Sequence, residues 1–187
     1  METATFANGP ARYAKATLAG GCFWCTEAIF KRLRGVVSVK SGYTGGRREN
    51  PSYDQVSTGV TGHVEAVQVS FDSSIISYDK LLDVFFATHD PTTLNRQGAD
   101  VGSQYRSAIF YWDEKQKEAA LSKIDELNKS GKYKAKIVTE VVPFSEFYKA
   151  EATHQNFYEN NQYYPYCQII IDPKIKKLYR EFKDEIN

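Results

Sequence analysis

Between Ala16 and Leu33 the hydrophobic pattern changes period once, and the change falls on two glycines. Ala16-Thr17-Leu18-Ala19 reads as a short buried strand, stopped by Gly20-Gly21. From Phe23 to Leu33 the pattern is helical, with Phe23, Ala28, Ile29, Phe30 and Leu33 able to face a core, and Gly35 ends it. The order strand, glycine turn, helix places Cys22 at or near a helix N-terminus.

The rest of the chain alternates in the same manner. Val36 to Tyr43 continues as a strand, followed by a loop around Gly45-Gly46-Arg47-Arg48-Glu49-Asn50-Pro51. In the strand from His63 to Phe71, Val67, Val69 and Phe71 alternate with Gln68 and Ser70, giving one apolar face. Glu65 has the parity of that face, and a carboxylate pointing toward apolar neighbours is either paired or functional. Ser77 caps a helix through Leu81, Leu82, Val84, Phe85 and Phe86. Asp90 to Asp100 reads as a long irregular loop, and Ser107 to Trp112 as a strand. Asp113 with Gln116 resembles a capping box opening a helix whose inner face carries Ala120, Leu121, Ile124 and Leu127. Ile137 to Val142 is a strand ended by Pro143, and a Tyr- and Asn-rich irregular stretch then reaches Cys167. Gln168 to Ile171 reads as a short strand. Asp172-Pro173 opens a last helix with Ile175, Leu178, Tyr179, Phe182 and Ile186 in register. Helices interspersed with hairpin-like and crossover strands give the class α+β. With no internal repeat or low-complexity linker, residues 1–187 are expected to form one domain, with 1–14 as an N-terminal arm.

Composition narrows the function. A net charge of +1 gives no electrostatic argument for nucleic acid or an anionic membrane as partner. No stretch approaches the ~20 apolar residues of a membrane span, and the N-terminus lacks the apolar core of a signal peptide. Three cysteines are an odd number in a chain of 187 residues, too large to need disulfide staples. That favours a reducing compartment, and a cytoplasmic location is expected. The three His and three Cys show no paired ligand spacing, so no metal is expected. Methionine occurs only at position 1, so the folded body offers oxidants no thioether. Thirteen Tyr and eleven Phe imply that some tyrosines are buried or line a cleft, each hydroxyl needing a partner.

The sharpest chemical candidate is Cys22. A thiolate is the nucleophile, and the free N–H groups and dipole of a helix N-terminus lower a thiol pKa. The glycines before Cys22 let backbone approach a substrate, and Phe23-Trp24 can wall the sulfur with apolar surface. The plainer alternative is a small buried hydrophobe. Cys25 completes a Cys-x-x-Cys pair on one helix face, suited to redox exchange or merely to packing.

Gly20-Gly21-Cys22-Phe23-Trp24 followed by Glu27 resembles the active-site signature of type A peptide methionine sulfoxide reductases. The similarity continues through Ser41 to Gly46, Asn50 to Tyr53, Gly62 to Val67 and Asp100 to Ser107. It ends in Ala152-Thr153-His154-Gln155 and Tyr164-Pro165-Tyr166-Cys167, so it spans roughly residues 15 to 170 in matching order. The resemblance implies a two-layer sandwich of a mixed β-sheet with packed helices, a ferredoxin-like core and a long irregular C-terminal segment. It implies reduction of the S epimer of methionine sulfoxide, free or in oxidised proteins, with Cys22 attacking the sulfur and becoming a sulfenic acid. Glu65 matches the acid that protonates the sulfoxide oxygen, Tyr53 and Tyr105 the tyrosines that polarise it, and Asp100 a carboxylate of the same network. Phe23 and Trp24 match the pocket for the S-methyl group, whereas His154 reads as structural and His63 and His89 take no role. Cys167 matches a resolving position and is expected to act first. Cys25 stands where many family members carry Gly, and offers a second route. Thioredoxin is the implied reductant, with no bound cofactor and a monomeric chain. Two other readings are a thiol–disulfide oxidoreductase, indifferent to Glu65→Gln, and a binding module that holds methionine sulfoxide without turnover.

Overall fold

The computed structural model describes residues 13–187; most of the expected N-terminal arm lies outside them. The elements are β1 (Tyr13–Gly20), α1 (Phe23–Phe30), β2 (Val36–Thr44), α2 (Tyr53–Ser57), β3 (Val64–Asp72), α3 (Tyr78–Thr88), β4 (Arg96–Gln97), β5 (Asp100–Val101), β6 (Ser107–Tyr111), α4 (Glu114–Ser130), β7 (Glu140–Pro143), β8 (Phe147–Lys149), α5 (Phe157–Asn160) and α6 (Asp172–Glu181). Six strands form one sheet in the order β7-β6-β1-β3-β2-β8, with β6 and β7 parallel and the other neighbours antiparallel. This is the mixed α+β sandwich expected.

The period of β3 decides how the layers stack. Val67, Val69 and Phe71 turn to a face where they form one buried cluster with residues of α1, α3 and α6 and with Ala120 of α4. Val64 and Ala66, of opposite parity, join Ala19, Ala108 and Phe110 in a smaller cluster on the other face. The long β1–β3 and β2–β3 ladders make β3 the centre of the sheet, so Glu65 lies in the interior, paired with Tyr43 of β2. Ser77 and Asp113 cap their helices as expected, each accepting a first-turn N–H. Gln116 does not close the box on its cap; its side chain accepts from Trp112 N–H and donates to Lys15 C=O.

Several elements depart from the expectation. β1 starts at Tyr13 rather than Ala16, because its ladder with β3 continues to Tyr13 opposite Asp72. α1 ends at Phe30, and tight turns carry the chain to Gly35, whose φ is +89°. The loop from Asp90 to Asp100 contains the small β4–β5 hairpin. Ile137 and Val138 precede the strand proper: their amides bond Asn128 Oδ1 and Pro91 C=O instead of the sheet. Gln168 to Ile171 is no strand but part of a π-helical turn, Cys167–Ile171, running into α6. The buried positions there are 167 and 171, while Ile169 is 68% exposed, so the spacing is helical and not alternating. Leu121 and Tyr179, placed on inner faces, are about half exposed, because Ala120 on α4 and Ile175 and Leu178 on α6 take the core side.

Candidate active site

Gly21 turns the chain from β1 into α1 at φ +93°, and a Cβ there would come within 2.5 Å of the Gln97 side chain. Only glycine fits. Cys22 follows as the N-cap of α1, buried, with its carbonyl accepting from Cys25 N–H at 3.2 Å. Glu65 reaches the same helix end from β3: its Oε2 accepts from Phe23 N–H at 3.0 Å. Phe23 and Glu65 are both shut from solvent. The nucleophile candidate and the acid candidate therefore meet at one helix terminus, 42 residues apart in sequence.

The electrostatics of this end differ from the expectation. A free helix N-terminus would lower the Cys22 thiol, but the Phe23 amide is already taken by Glu65. Burial, reinforced by the neighbouring Cys25, holds the Cys22 thiol well above its usual range. Cys25 is the member that comes down, to about 7, chiefly through its hydrogen bond with Cys22 and with help from Lys174. The two thiols lie side by side and titrate as a pair, which gives up its first proton near 7. Glu65 is pushed up to about 8 by burial, with the charges of Asp100 and Cys25 adding and the Phe23 N–H opposing. At neutral pH it holds its proton. One carboxyl oxygen is bonded to Phe23, which leaves the other to carry that proton.

Around this core stands an aromatic wall. The Phe23 ring lies 5.7 Å from Tyr43 and 6.3 Å from Tyr53, and Tyr53 stacks on His154 at 4.2 Å. Trp24 stacks face to face on Phe157 at 3.6 Å and donates from Nε1 to His154 Nδ1 at 3.2 Å. His154 is thereby fixed in the aromatic wall. His63 is fixed at both ring nitrogens by backbone: Nδ1 accepts from Gly46 N–H, and Nε2–H donates to Arg48 C=O. Tyr53 is held through its backbone, whose N–H donates to Glu151 at 2.8 Å. Burial and the nearby Glu65 raise the Tyr53 hydroxyl to about 12 and raise Tyr105 as well, so both stay protonated donors.

Asp100 is not a solvated loop carboxylate. It accepts from Tyr166 OH at 2.6 Å, and that same hydroxyl lies 3.7 Å from Cys25 Sγ. Tyr166 is the site residue the sequence reading passed over, although it sits in the quoted run Tyr164-Pro165-Tyr166-Cys167. The signal available in the sequence was the adjacency of this tyrosine to Cys167. Cys167 itself is fully buried at the start of the π-helical turn, with its thiol raised by burial. Two side chains lock the C-terminal segment onto the site. Buried Glu27 accepts from Asn156 N–H, and Gln155 both accepts from Ser41 N–H and donates to Ser41 C=O. Among the described residues, no group of three or more His, Cys, Asp or Glu is placed to hold a metal ion.

A buried Cys-x-x-Cys pair on a helix end, with a buried carboxyl against the same turn, is the site of a thiol-dependent oxidoreductase. Comparison with known proteins gives the particular kind. The family model described as peptide methionine sulfoxide reductase matches residues 14–186, and the chain belongs to that family. It is 58% identical over 172 residues to the peptide methionine sulfoxide reductase MsrA of Sulfolobus acidocaldarius, covering 91% of this chain and 96% of that protein. The reduced form of Mxr1 from Saccharomyces cerevisiae superposes with a TM-score of 0.75 at 35% identity, over 84% of this chain and 91% of that one. Mxr1 in complex with Trx2 matches with a TM-score of 0.54 at 28% identity, over 82% of this chain and 90% of that one.

Proposed function

We propose that this site reduces the S epimer of methionine sulfoxide by thiol attack at sulfur, with Cys22 as nucleophile and Glu65 as acid. The observation that carries the reading is the position of Glu65, a buried carboxyl raised to about 8 and bonded to the amide that follows Cys22. Cys25 takes the Cys22 proton along their hydrogen bond as the Cys22 sulfur attacks. Glu65 gives its proton to the sulfoxide oxygen, which would otherwise be a poor leaving group. The protonated oxygen then passes to the Cys22 sulfur as the bond between the two sulfurs breaks; methionine departs, Cys22 is left as a sulfenic acid and Glu65 as a carboxylate, and atoms and charge balance. Tyr53 and Tyr105 hydrogen-bond the same oxygen, and the Phe23–Trp24 wall takes the S-methyl group. A pocket that fixes oxygen on one side and methyl on the other accepts one epimer.

The sulfenic acid is then resolved by Cys25. The Cys25 thiol condenses with Cys22–SOH to a disulfide and releases water. This reverses the expected order, in which Cys167 acts first: Cys25 lies three residues on from Cys22 at the same helix end, with its thiol beside that of Cys22. Cys167 accepts the disulfide afterwards by exchange. A thioredoxin supplies the final reducing equivalents, as the Mxr1–Trx2 complex suggests for a related chain. Asp100 orients Tyr166 against Cys25.

The test is dithiothreitol-driven reduction of the separate R and S sulfoxides by wild type and Cys22→Ser. Turnover of the S epimer alone, abolished in the variant, is expected. Equal activity in both proteins would overturn the nucleophile assignment.

A further inference from the structure

Beside the site, β8 is the last strand of its sheet among the described residues, which leaves its outer edge without a strand partner there. The ladder register says which groups face that edge. Lys149, Tyr148 and Phe147 pair with Gly42, Tyr43 and Thr44, and the next residue, Ala150, donates its N–H to Ser41 C=O at 2.9 Å. Inward-bonding residues alternate, so Ala150 and Tyr148 bond β2 while Phe147 and Lys149 turn their N–H and C=O outward. Two such residues, one strand repeat apart, present the spacing that an extended peptide offers in return.

A groove of about 580 Å³ runs along this edge, lined by Asn50, Pro51 and Ser52 on one side and by Glu146 to Lys149 on the other. Glu151 also lines it, and Glu151 is the joint between groove and site. Its Oε1 accepts from Tyr53 N–H and its Oε2 accepts from Tyr43 OH, both at 2.8 Å. The groove therefore ends one side chain away from Tyr53 and Phe23, the wall of the sulfoxide pocket.

We propose that the open edge of β8 holds the main chain of the polypeptide carrying the methionine sulfoxide, as an added strand that delivers the side chain past Glu151 to Tyr53. The occupant is an extended, unfolded segment of the protein substrate. A side chain or a folded surface would leave the outward donors and acceptors of Phe147 and Lys149 unmatched. The inference rests on the reductase reading and locates its substrate class.

The test compares kcat/KM for free methionine S-sulfoxide with that for a heptapeptide bearing the sulfoxide at its centre. Two further heptapeptides carry backbone N-methyl groups on alternate residues, one set in each parity. Wild type is expected to favour the unmodified peptide over the amino acid by about tenfold or more, since Phe147 and Lys149 offer four hydrogen bonds and two at net strength already give about that factor. One parity of N-methylation should remove that advantage, and the other should keep it. In Lys149→Pro, which loses one outward N–H at an edge position that tolerates proline, the peptide-to-amino-acid ratio should fall. Equal behaviour of the two N-methyl sets, or a ratio near one for the unmodified peptide, would overturn the added-strand inference while leaving the reductase reading intact. If neither amino acid nor peptide is reduced, the reductase reading fails and the inference falls with it.

Discussion

Glu65→Gln removes a proton and little else. The amide has the carboxyl's size, and its carbonyl oxygen can still accept the Phe23 N–H that Oε2 accepts at 3.0 Å. Titrating near 8, Glu65 is about 90% protonated at pH 7, whereas a carboxyl at the ordinary 4.5 would be protonated in about one molecule in 300. Burial thus makes the proton available about 300 times more often, and general acids contribute about 10²–10⁴ to such steps. The single-turnover rate of methionine formation, by acid quench from pH 5 to 10, should fall about 10²–10³-fold in Glu65→Gln. Wild type should show a bell, rising as the Cys22–Cys25 pair ionises near 7 and falling as Glu65 ionises near 8. The variant should lose the alkaline limb. A loss below tenfold, or an unchanged alkaline limb, would refute the acid assignment. Stability gives an independent check. The folded pKa of Glu65 is raised, so its protonated form is favoured in the fold, and stability declines as pH rises from about 4.5 through about 8. Above that window burial of the carboxylate costs about 5 kcal/mol, which the neutral amide avoids. Glu65→Gln should therefore become more stable than wild type at pH 9, by denaturant unfolding, and not at pH 4.

Other perturbations test other parts of the site. Cys25→Ser should still release one equivalent of methionine but form the first disulfide far more slowly, while Cys167→Ser should form Cys22–Cys25 normally; mass mapping after one turnover reads both. Formation of Cys22–Cys167 at the wild-type rate in Cys25→Ser would restore Cys167 as first resolver. Gly21→Ala places a Cβ at positive φ and against Gln97, and should lower stability by about 1–3 kcal/mol in thermal or urea melts. A change below about 0.5 kcal/mol would mean the turn relaxes at little cost. Tyr166→Phe removes a hydroxyl that bonds Asp100 and lies 3.7 Å from Cys25, and should shift the pH at which Cys25 reacts with iodoacetamide. An unchanged alkylation profile would remove Tyr166 from the network.

Local chemistry in the chain determined a good deal. The glycine pair marked the switch from β1 to α1, because a left-handed turn followed by a helical period has few other readings. The alternation of Val67, Val69 and Phe71 put Glu65 on the buried face, because side chains in a strand repeat every two residues whatever packs above them. Ser77 and Asp113 announced their helices through bonds that span only three residues. What the sequence could not decide was set by contacts between distant segments. The bond between Tyr166 and Asp100 crosses 66 residues, and that between Cys25 and Tyr166 crosses 141. Nothing local signals either. The open edge of β8 likewise follows from where β2 pairs, and the turn at Cys167 from which of its isoleucines the core could take. The charge of the cysteine pair is the clearest case. Local sequence offers Cys22 a helix N-terminus that should lower its thiol. Only the fold brings Glu65 to occupy that amide, buries Cys22 and sets Cys25 beside it, so that the two thiols ionise as a pair. A pKa depends on desolvation and on neighbours in space, and those exist only once the chain is folded.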